Sequence, residues 1–239
     1  MRKSILLLLL FLCVVTPLVN VEAERTLIIS EFDDSPPRID GAFPVGEWSN
    51  LQIFIEDGVT TIETYVYFVN DDSNLYVMVD AAGDETDDAL DECLLSFHSG
   101  GVLTEAEIWG SSGTVKSNDF YAVIGFGDSP NNAEDHKMYE WRIPLSLINA
   151  EPGQSIDFCS PPFGHKPFNP VSMPYDADTG KDNVWPEGVI YDTLETWGIL
   201  RVSNPPVGGS IIQNHLNFLM FNLLGALLII IGAAYVLIG

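Results

Sequence analysis

Two acidic runs carry most of the residues that could do chemistry in this chain. The first is Asp176-Ala177-Asp178-Thr179-Gly180-Lys181-Asp182, with Glu187 five residues further on. Carboxylates at alternate loop positions can converge on a hard cation. The spacing 1, 3, 5, 7, 12 matches an EF-hand calcium loop when Gly180 supplies a carbonyl or a water. The match departs from that pattern at position six, where Lys181 stands in place of Gly, and no flanking helices are predicted. A solvated acidic turn is the other reading. The second run is Asp84-Glu85-Thr86-Asp87-Asp88-Ala89-Leu90-Asp91-Glu92. Carboxylates so dense repel one another unless a cation or water screens them.

A different chemistry belongs to the aromatic residues. Sugar rings present apolar C–H faces that stack on indoles, while nearby carboxylates and amides bind the hydroxyls. Trp185 lies in a polar stretch beside Asp182 and Asn183, and is the expected exposed platform. Trp109, followed by Gly110-Ser111-Ser112-Gly113, is the second, and Tyr175 and Phe168 could line the same cleft. The alternative is that Trp185 plugs the end of a core. Trp48, Trp141 and Trp197 read as core residues. Catalytic signatures are missing: there is no G-x-S-x-G, no H-E-x-x-H and no phosphate loop. An enzyme is therefore not expected, although carboxylates abound.

These residues sit between two apolar ends. A basic start (Met1-Arg2-Lys3), an apolar run over residues 5–15 and the close Val21-Glu22-Ala23 describe a secretory signal peptide over residues 1–23. An uncleaved anchor is the alternative, for which the run is short. Residues 218–238 carry no charge, and about 20 apolar residues suffice to cross a bilayer as a helix. A transmembrane helix is expected over residues 216–238, reached through a linker at 204–215. With the signal peptide, this predicts a single-pass cell-membrane protein whose ectodomain, residues 24–203, is extracellular. Gly208, Gly209 and Ser210 followed by an apolar tail also fit a signal for a lipid anchor.

The ectodomain is acidic. The whole chain has 10 Lys and Arg against 34 Asp and Glu, a formal net charge of −24. Such a surface repels nucleic acid and anionic headgroups and favours cations. Cys93 and Cys159 are an even pair outside the cell, so one disulfide and two buried free thiols both fit.

The elements that must position these residues are strands. Short alternating or β-rich runs occur at residues 27–30, 52–56, 61–69, 75–80, 92–98, 105–109, 120–126, 139–143, 155–158 and 197–202. In residues 61–69, Ile62, Thr64, Val66 and Phe68 share one face and Glu63, Tyr65, Tyr67 and Val69 the other. Asn70-Asp71-Asp72-Ser73-Asn74 reads as a hairpin turn. One short helix is expected at residues 145–149, and residues 161–175 form a long Pro-rich loop. Many short strands at this spacing predict an all-β fold, an immunoglobulin-like or jelly-roll-type sandwich.

Three segments in order, with a closing strand after them, resemble one family. Pro37-Arg38-Ile39-Asp40-Gly41 with Gly46-Glu47-Trp48 is similar to the opening of family 9 carbohydrate-binding modules and their DOMON-like relatives. Val66-Tyr67-Phe68-Val69-Asn70-Asp71-Asp72-Ser73-Asn74-Leu75-Tyr76-Val77 resembles the hairpin that follows in that family. Tyr139-Glu140-Trp141-Arg142-Ile143-Pro144-Leu145 resembles its later strand-to-helix step, and Thr196-Trp197-Gly198-Ile199-Leu200 its closing strand. The resemblance implies a β-sandwich that binds a glycan or polysaccharide without catalysis, often with a structural calcium (Ca2+). Asp84, Asp88 and Asp91 would then be ligands in the loop after the second hairpin strand. It also implies an alternative, since some relatives bind haem through Met and His for electron transfer. Met78, His98, His136 and His165 are the candidates here, with no haem-attachment motif among them. A structural or adhesion module without ligand is the third reading.

Overall fold

A computed structural model describes residues 25–159, 174–187, 189–190 and 192–206. The expected signal peptide, the apolar tail, His165, Phe168 and most of the Pro-rich loop lie outside the described residues. Among the described residues, no helix is long and apolar enough to cross a membrane.

Among the described residues, twelve strands form two sheets, with one short 3-10 turn at Leu194–Thr196. The strands are β1 (Leu27–Ile29), β2 (Glu31–Phe32), β3 (Leu51–Ile55), β4 (Thr64–Asn70), β5 (Asn74–Ala81), β6 (Glu92–Ser99), β7 (Val102–Trp109), β8 (Val115–Ser117), β9 (Tyr121–Gly127), β10 (His136–Pro144), β11 (Ser155–Cys159) and β12 (Gly198–Arg201). One sheet has the order β1-β12-β11-β6-β7. The other runs β2-β4-β5-β10-β9-β8, with β3 also paired to β4. The inward faces meet in one apolar core that includes Val66, Phe68, Val77, Phe97, Tyr139, Trp141 and Phe158. Phe68 of one sheet and Phe158 of the other meet edge to face at 5.3 Å, a favoured aromatic geometry.

The period-two pattern of β4 is realised, yet both of its faces are buried. Val66 and Phe68 point into the core, while Tyr67 and Val69 lie on the outer face. Phe43 and Trp48, from the segment between β2 and β3, pack there with Tyr67, Val69, Tyr76, Met78 and Met138. That covering segment needs one glycine of its own and one in the strand beneath it. Gly41 has φ +81°, and a Cβ on Gly125 of β9 would meet the Gly41 carbonyl oxygen at 1.9 Å. The Asp40-Gly41 turn thus lies directly on the backbone of β9, a close approach that a side chain would block.

One expectation changes, and two further points are added. Residues 145–149 form successive turns rather than a helix. Leu147 N donates to the Pro144 carbonyl and Ala150 N to the Leu145 carbonyl, both at 2.9 Å, and Asn149 has φ 48°. Strands β2 and β8 are too short to leave a periodic signal. Cys93 and Cys159 are buried free thiols. Cys159 pairs with Ser96 in register, and Cys93 lies three residues along β6 from Ser96, so the two thiols point from opposite faces of one sheet. A bond between them would need the backbone to move.

Strand direction gives the sandwich two distinct ends. Strands β4, β6, β10 and β12 run one way, and β5, β7, β9 and β11 fill the antiparallel positions beside them. One end collects the hairpin turns at residues 70–74 and 99–102 and the chain exit, where Ser203 N donates to Asn70 Oδ1 at 3.0 Å. The other end collects residues 81–92, 109–115, 134–137 and 174–183.

Candidate functional site

Both acidic runs meet at that second end. Asp91 is fully buried, and its Oδ1 accepts from Ala177 N at 3.1 Å while its Oδ2 accepts from Asp88 N at 3.0 Å. Asp176 is buried too. Its Oδ1 accepts from the backbone of Asp178 and Thr179, at 2.8 and 3.1 Å, and its Oδ2 from Thr179 Oγ1 at 2.5 Å. Asp84 is 0% exposed, and Oδ1 accepts from Thr86 N and Oγ1 at 3.2 and 3.1 Å. Its Oδ2 is buried with no partner, and so is Asp88 Oδ2. Leaving a buried acceptor unsatisfied costs about 1–3 kcal/mol.

Among the described residues, one ammonium stands inside the cluster. Lys137, the second residue of β10, is fully buried, and its Nζ lies 2.9 Å from both Asp87 Oδ1 and Asp91 Oδ2. It also donates to the carbonyls of Asp88 at 3.2 Å and Gly110 at 3.3 Å. A single positive charge does not balance Asp84, Asp87, Asp88, Asp91, Asp176 and Asp178. Burial, with the charges of Asp91 and Asp176, pushes the Asp84 carboxyl up to about 7. Asp178, on the exposed side, is raised by Asp88 first. Beneath the cluster, the Tyr139 hydroxyl is buried without a partner, and its phenol is pushed well up by burial and by the charges of Asp84, Asp91 and Asp176.

The EF-hand spacing is not what shapes the 176–181 turn. Gly180 N donates back to the Asp176 carbonyl and Asp176 N to the Lys181 carbonyl, closing a tight turn in place of an extended loop. What the first run brings to the cluster is Asp176 and Asp178. Asp182 N donates to the Thr60 carbonyl at 3.0 Å, and Glu187 is exposed in the turn after Pro186. Among the described residues, no set of three or more His, Cys, Asp or Glu side chains is arranged as a formed metal site. Two free oxygens, on Asp84 and Asp88, fall short of the six or more that a calcium ion takes, and what the cluster offers a cation is the negative charge that Lys137 alone does not balance.

The aromatic candidates divide. Trp185 is 8% exposed and belongs to the core, with its ring 5.4 Å from that of Phe158. A Cβ on Gly198 would meet its ring atoms at 2.3 Å, so the indole lies flat on the start of β12. Trp185 therefore closes the end of the core and offers no face to a ligand. Asn183, expected to bind sugar hydroxyls, is fully buried. Its Oδ1 accepts from Ile62 N at 3.0 Å, and its Nδ2 donates to the Ile62 carbonyl and Thr64 Oγ1, both at 2.8 Å. Tyr175 exchanges backbone bonds with Glu92 and bridges to Asp182, so it ties the 174–183 segment to β6. Among the described candidates Trp109 is the exposed one, at 60%. It opens a shallow groove lined with Ala89, Glu107, Ser111, Thr114 and Lys116. The next residue fixes it: Gly110 N donates to the Asp91 carbonyl at 2.9 Å, and the Gly110 carbonyl accepts from Lys137. The platform is thus bolted to the acidic cluster.

The described candidate iron ligands are engaged elsewhere. His136 Nε2 lies 2.5 Å from Asp80 Oδ1 and its Nδ1 lies 2.7 Å from the Glu134 carbonyl, so both ring nitrogens have partners. His98 faces Asp157 at 3.2 Å, and Met78 is packed under Phe43 and Trp48. Lys137 and Tyr139 were not singled out by spacing. A lysine inside a strand of a chain with so few basic residues was the available signal.

No family model matches the chain, and no curated protein matches it significantly. Among solved structures it is similar to a carbohydrate-binding module of family 9 from Caldicellulosiruptor kristjanssonii in complex with glucose. That likeness has 14% identity and a TM-score of 0.44, and covers 77% of this chain and 100% of the other. A second structure, of a family 9 module from the same organism in complex with cellotriose, gives 13% identity and a TM-score of 0.45, covering 77% and 97%.

Proposed function

We propose that this chain is a non-catalytic carbohydrate-binding module, held on the outer face of the cell membrane by its C-terminal apolar segment and stiffened by calcium at its acidic end. The observation that carries the reading is Trp109. An indole left 60% exposed on a rigid support, beside hydroxyl and carboxylate side chains, suits stacking against a sugar ring. Asp84, Asp88, Asp91, Asp176 and Asp178 would hold the calcium. When bound, it screens their mutual repulsion and fixes the two loops that carry the platform. The direction of β12 supports the presentation. The chain leaves the sandwich at the end opposite Trp109, and a 12-residue linker at 204–215 reaches at most about 40 Å. In a tethered molecule the groove would face outward.

The test is tryptophan fluorescence of the full chain in detergent, titrated with neutral oligosaccharides chosen from a glycan screen. Binding should quench Trp109, and Trp109→Ala should weaken affinity by roughly 30-fold or more, as expected for an aromatic hot spot. Wild-type protein that binds no glycan in the screen would remove this reading and leave a structural surface module.

A further inference from the structure

The outer face of the second sheet holds a carboxyl pair remote from the acidic end. Glu140, midway along β10, is fully buried. Its Oε2 accepts from Asp40 N at 2.8 Å and Gly41 N at 2.6 Å, while its Oε1 is buried with no partner. Glu47 lies in the covering segment. Its Oε1 accepts from Arg38 N at 2.9 Å, and its Oε2 is likewise buried with no partner. The charges of Glu47 and Asp40 both bear on Glu140. On the sheet side, Glu140 stands in register with Met78 and Val123, neither of them a donor. Tyr76 gives its hydroxyl to Asp71 at 2.8 Å, and the Arg142 guanidinium lies over the Tyr121 ring at 5.4 Å.

Two buried acceptors under one loop lack a donor. A hard cation fits them poorly, because it wants six or more oxygens and only two are free. A single proton makes one carboxyl the donor and the other its acceptor, and so satisfies both. We propose that Glu140 Oε1 and Glu47 Oε2 share one proton, and that this proton latches residues 38–48 over the aromatic face of the sheet. Burial works in the same direction, pushing the Glu140 carboxyl up to about 8 against the pull of the two backbone N–H groups. When the proton leaves to solvent, buried Glu140 and half-buried Glu47 face each other's charge, and the loop loosens from Tyr67, Tyr76 and Met78.

The sign of the pH dependence follows. Between the ordinary carboxyl range and about 8, the folded chain holds one proton more than the unfolded chain. The contribution is complete at acid pH and is lost as pH rises, with the unfolding constant growing about tenfold per pH unit. The test compares the full chain in detergent with Glu140→Gln and Glu47→Gln, by denaturant unfolding from pH 5 to 9. In either variant an amide N–H replaces the shared proton. The ratio of wild-type to variant unfolding constants should therefore rise by up to tenfold per unit, leaving Glu140→Gln as stable as wild type or more so at pH 9. Infrared spectra at pH 7 should show a protonated-carboxyl band in wild type that Glu140→Gln loses and Asp84→Asn retains in part. If Glu140→Gln does not fold, Glu47→Gln should still flatten the slope and diminish the band. Parallel pH profiles, with no band assignable to Glu140, would overturn the latch and leave Glu140 an ionised clamp whose neighbours are served by water.

Discussion

Calcium should raise the melting temperature of this chain, and Asp84→Asn should abolish the rise. An ion that binds only the native state stabilises it by about 2.7 kcal/mol at a hundredfold excess over its dissociation constant. For a domain of this size, that corresponds to roughly 5–10 °C. Without the ion, Asp84 is a cost. Its carboxyl is raised from 3.8 to about 7, so the folded chain holds an extra proton between those values and loses stability as pH rises through that window. Above pH 7 the loss amounts to roughly 4 kcal/mol, an order-of-magnitude figure for a buried group surrounded by like charges. The perturbation thus has two signatures in differential scanning calorimetry. In a chelator at pH 8, Asp84→Asn should melt above wild type. With millimolar calcium, wild type should rise and the variant should not. The wild-type gain should also shrink at pH 6, where protons compete with the ion. An unchanged melting temperature with calcium at pH 8, together with a variant that melts below wild type in chelator, would refute the reasoning and leave the cluster neutralised by Lys137 and water.

Trp185→Ala should destabilise by about 3–5 kcal/mol, measured by denaturant melting, because a core indole packed on Phe158 and Gly198 is removed. The folded variant should bind sugar as wild type does, and a selective loss of binding would return Trp185 to the ligand site. Reductant should leave the melting temperature unchanged, since Cys93 and Cys159 sit on opposite faces of their sheet. A reductant-induced drop would show that the two thiols are bonded after all.

The strands were legible because each leaves a local mark. Ile62, Thr64, Val66 and Phe68 alternate visibly, and all four are fully buried. The Asn70–Asn74 turn was equally plain, and Asp71 Oδ1 accepts from the backbone of Ser73 and Asn74 at 2.7 and 2.6 Å. What the pattern could not give was the second burial of Tyr67 and Val69. That depends on a segment some 20 residues upstream folding back over them, and propensity holds no record of such contacts.

The site was half legible for a similar reason. Composition marks Asp84–Glu92 and Asp176–Asp182 as acidic, but nothing local says that loops about 90 residues apart share Asp91 as a common acceptor. Trp185 and Trp109 show the same limit from the other side. The polar neighbours of Trp185 suggested exposure, yet Asn183 turns its amide inward to satisfy Ile62 and Thr64, and the indole follows it into the core. Trp109 ends a strand whose alternate residues, Ile108 and Ala106, are buried, so period two alone puts the indole on the outer face. Alternation along the strand was therefore a better guide to exposure than polarity of the neighbourhood. It reports which way a side chain must point, whereas polar neighbours can be recruited to hold it in.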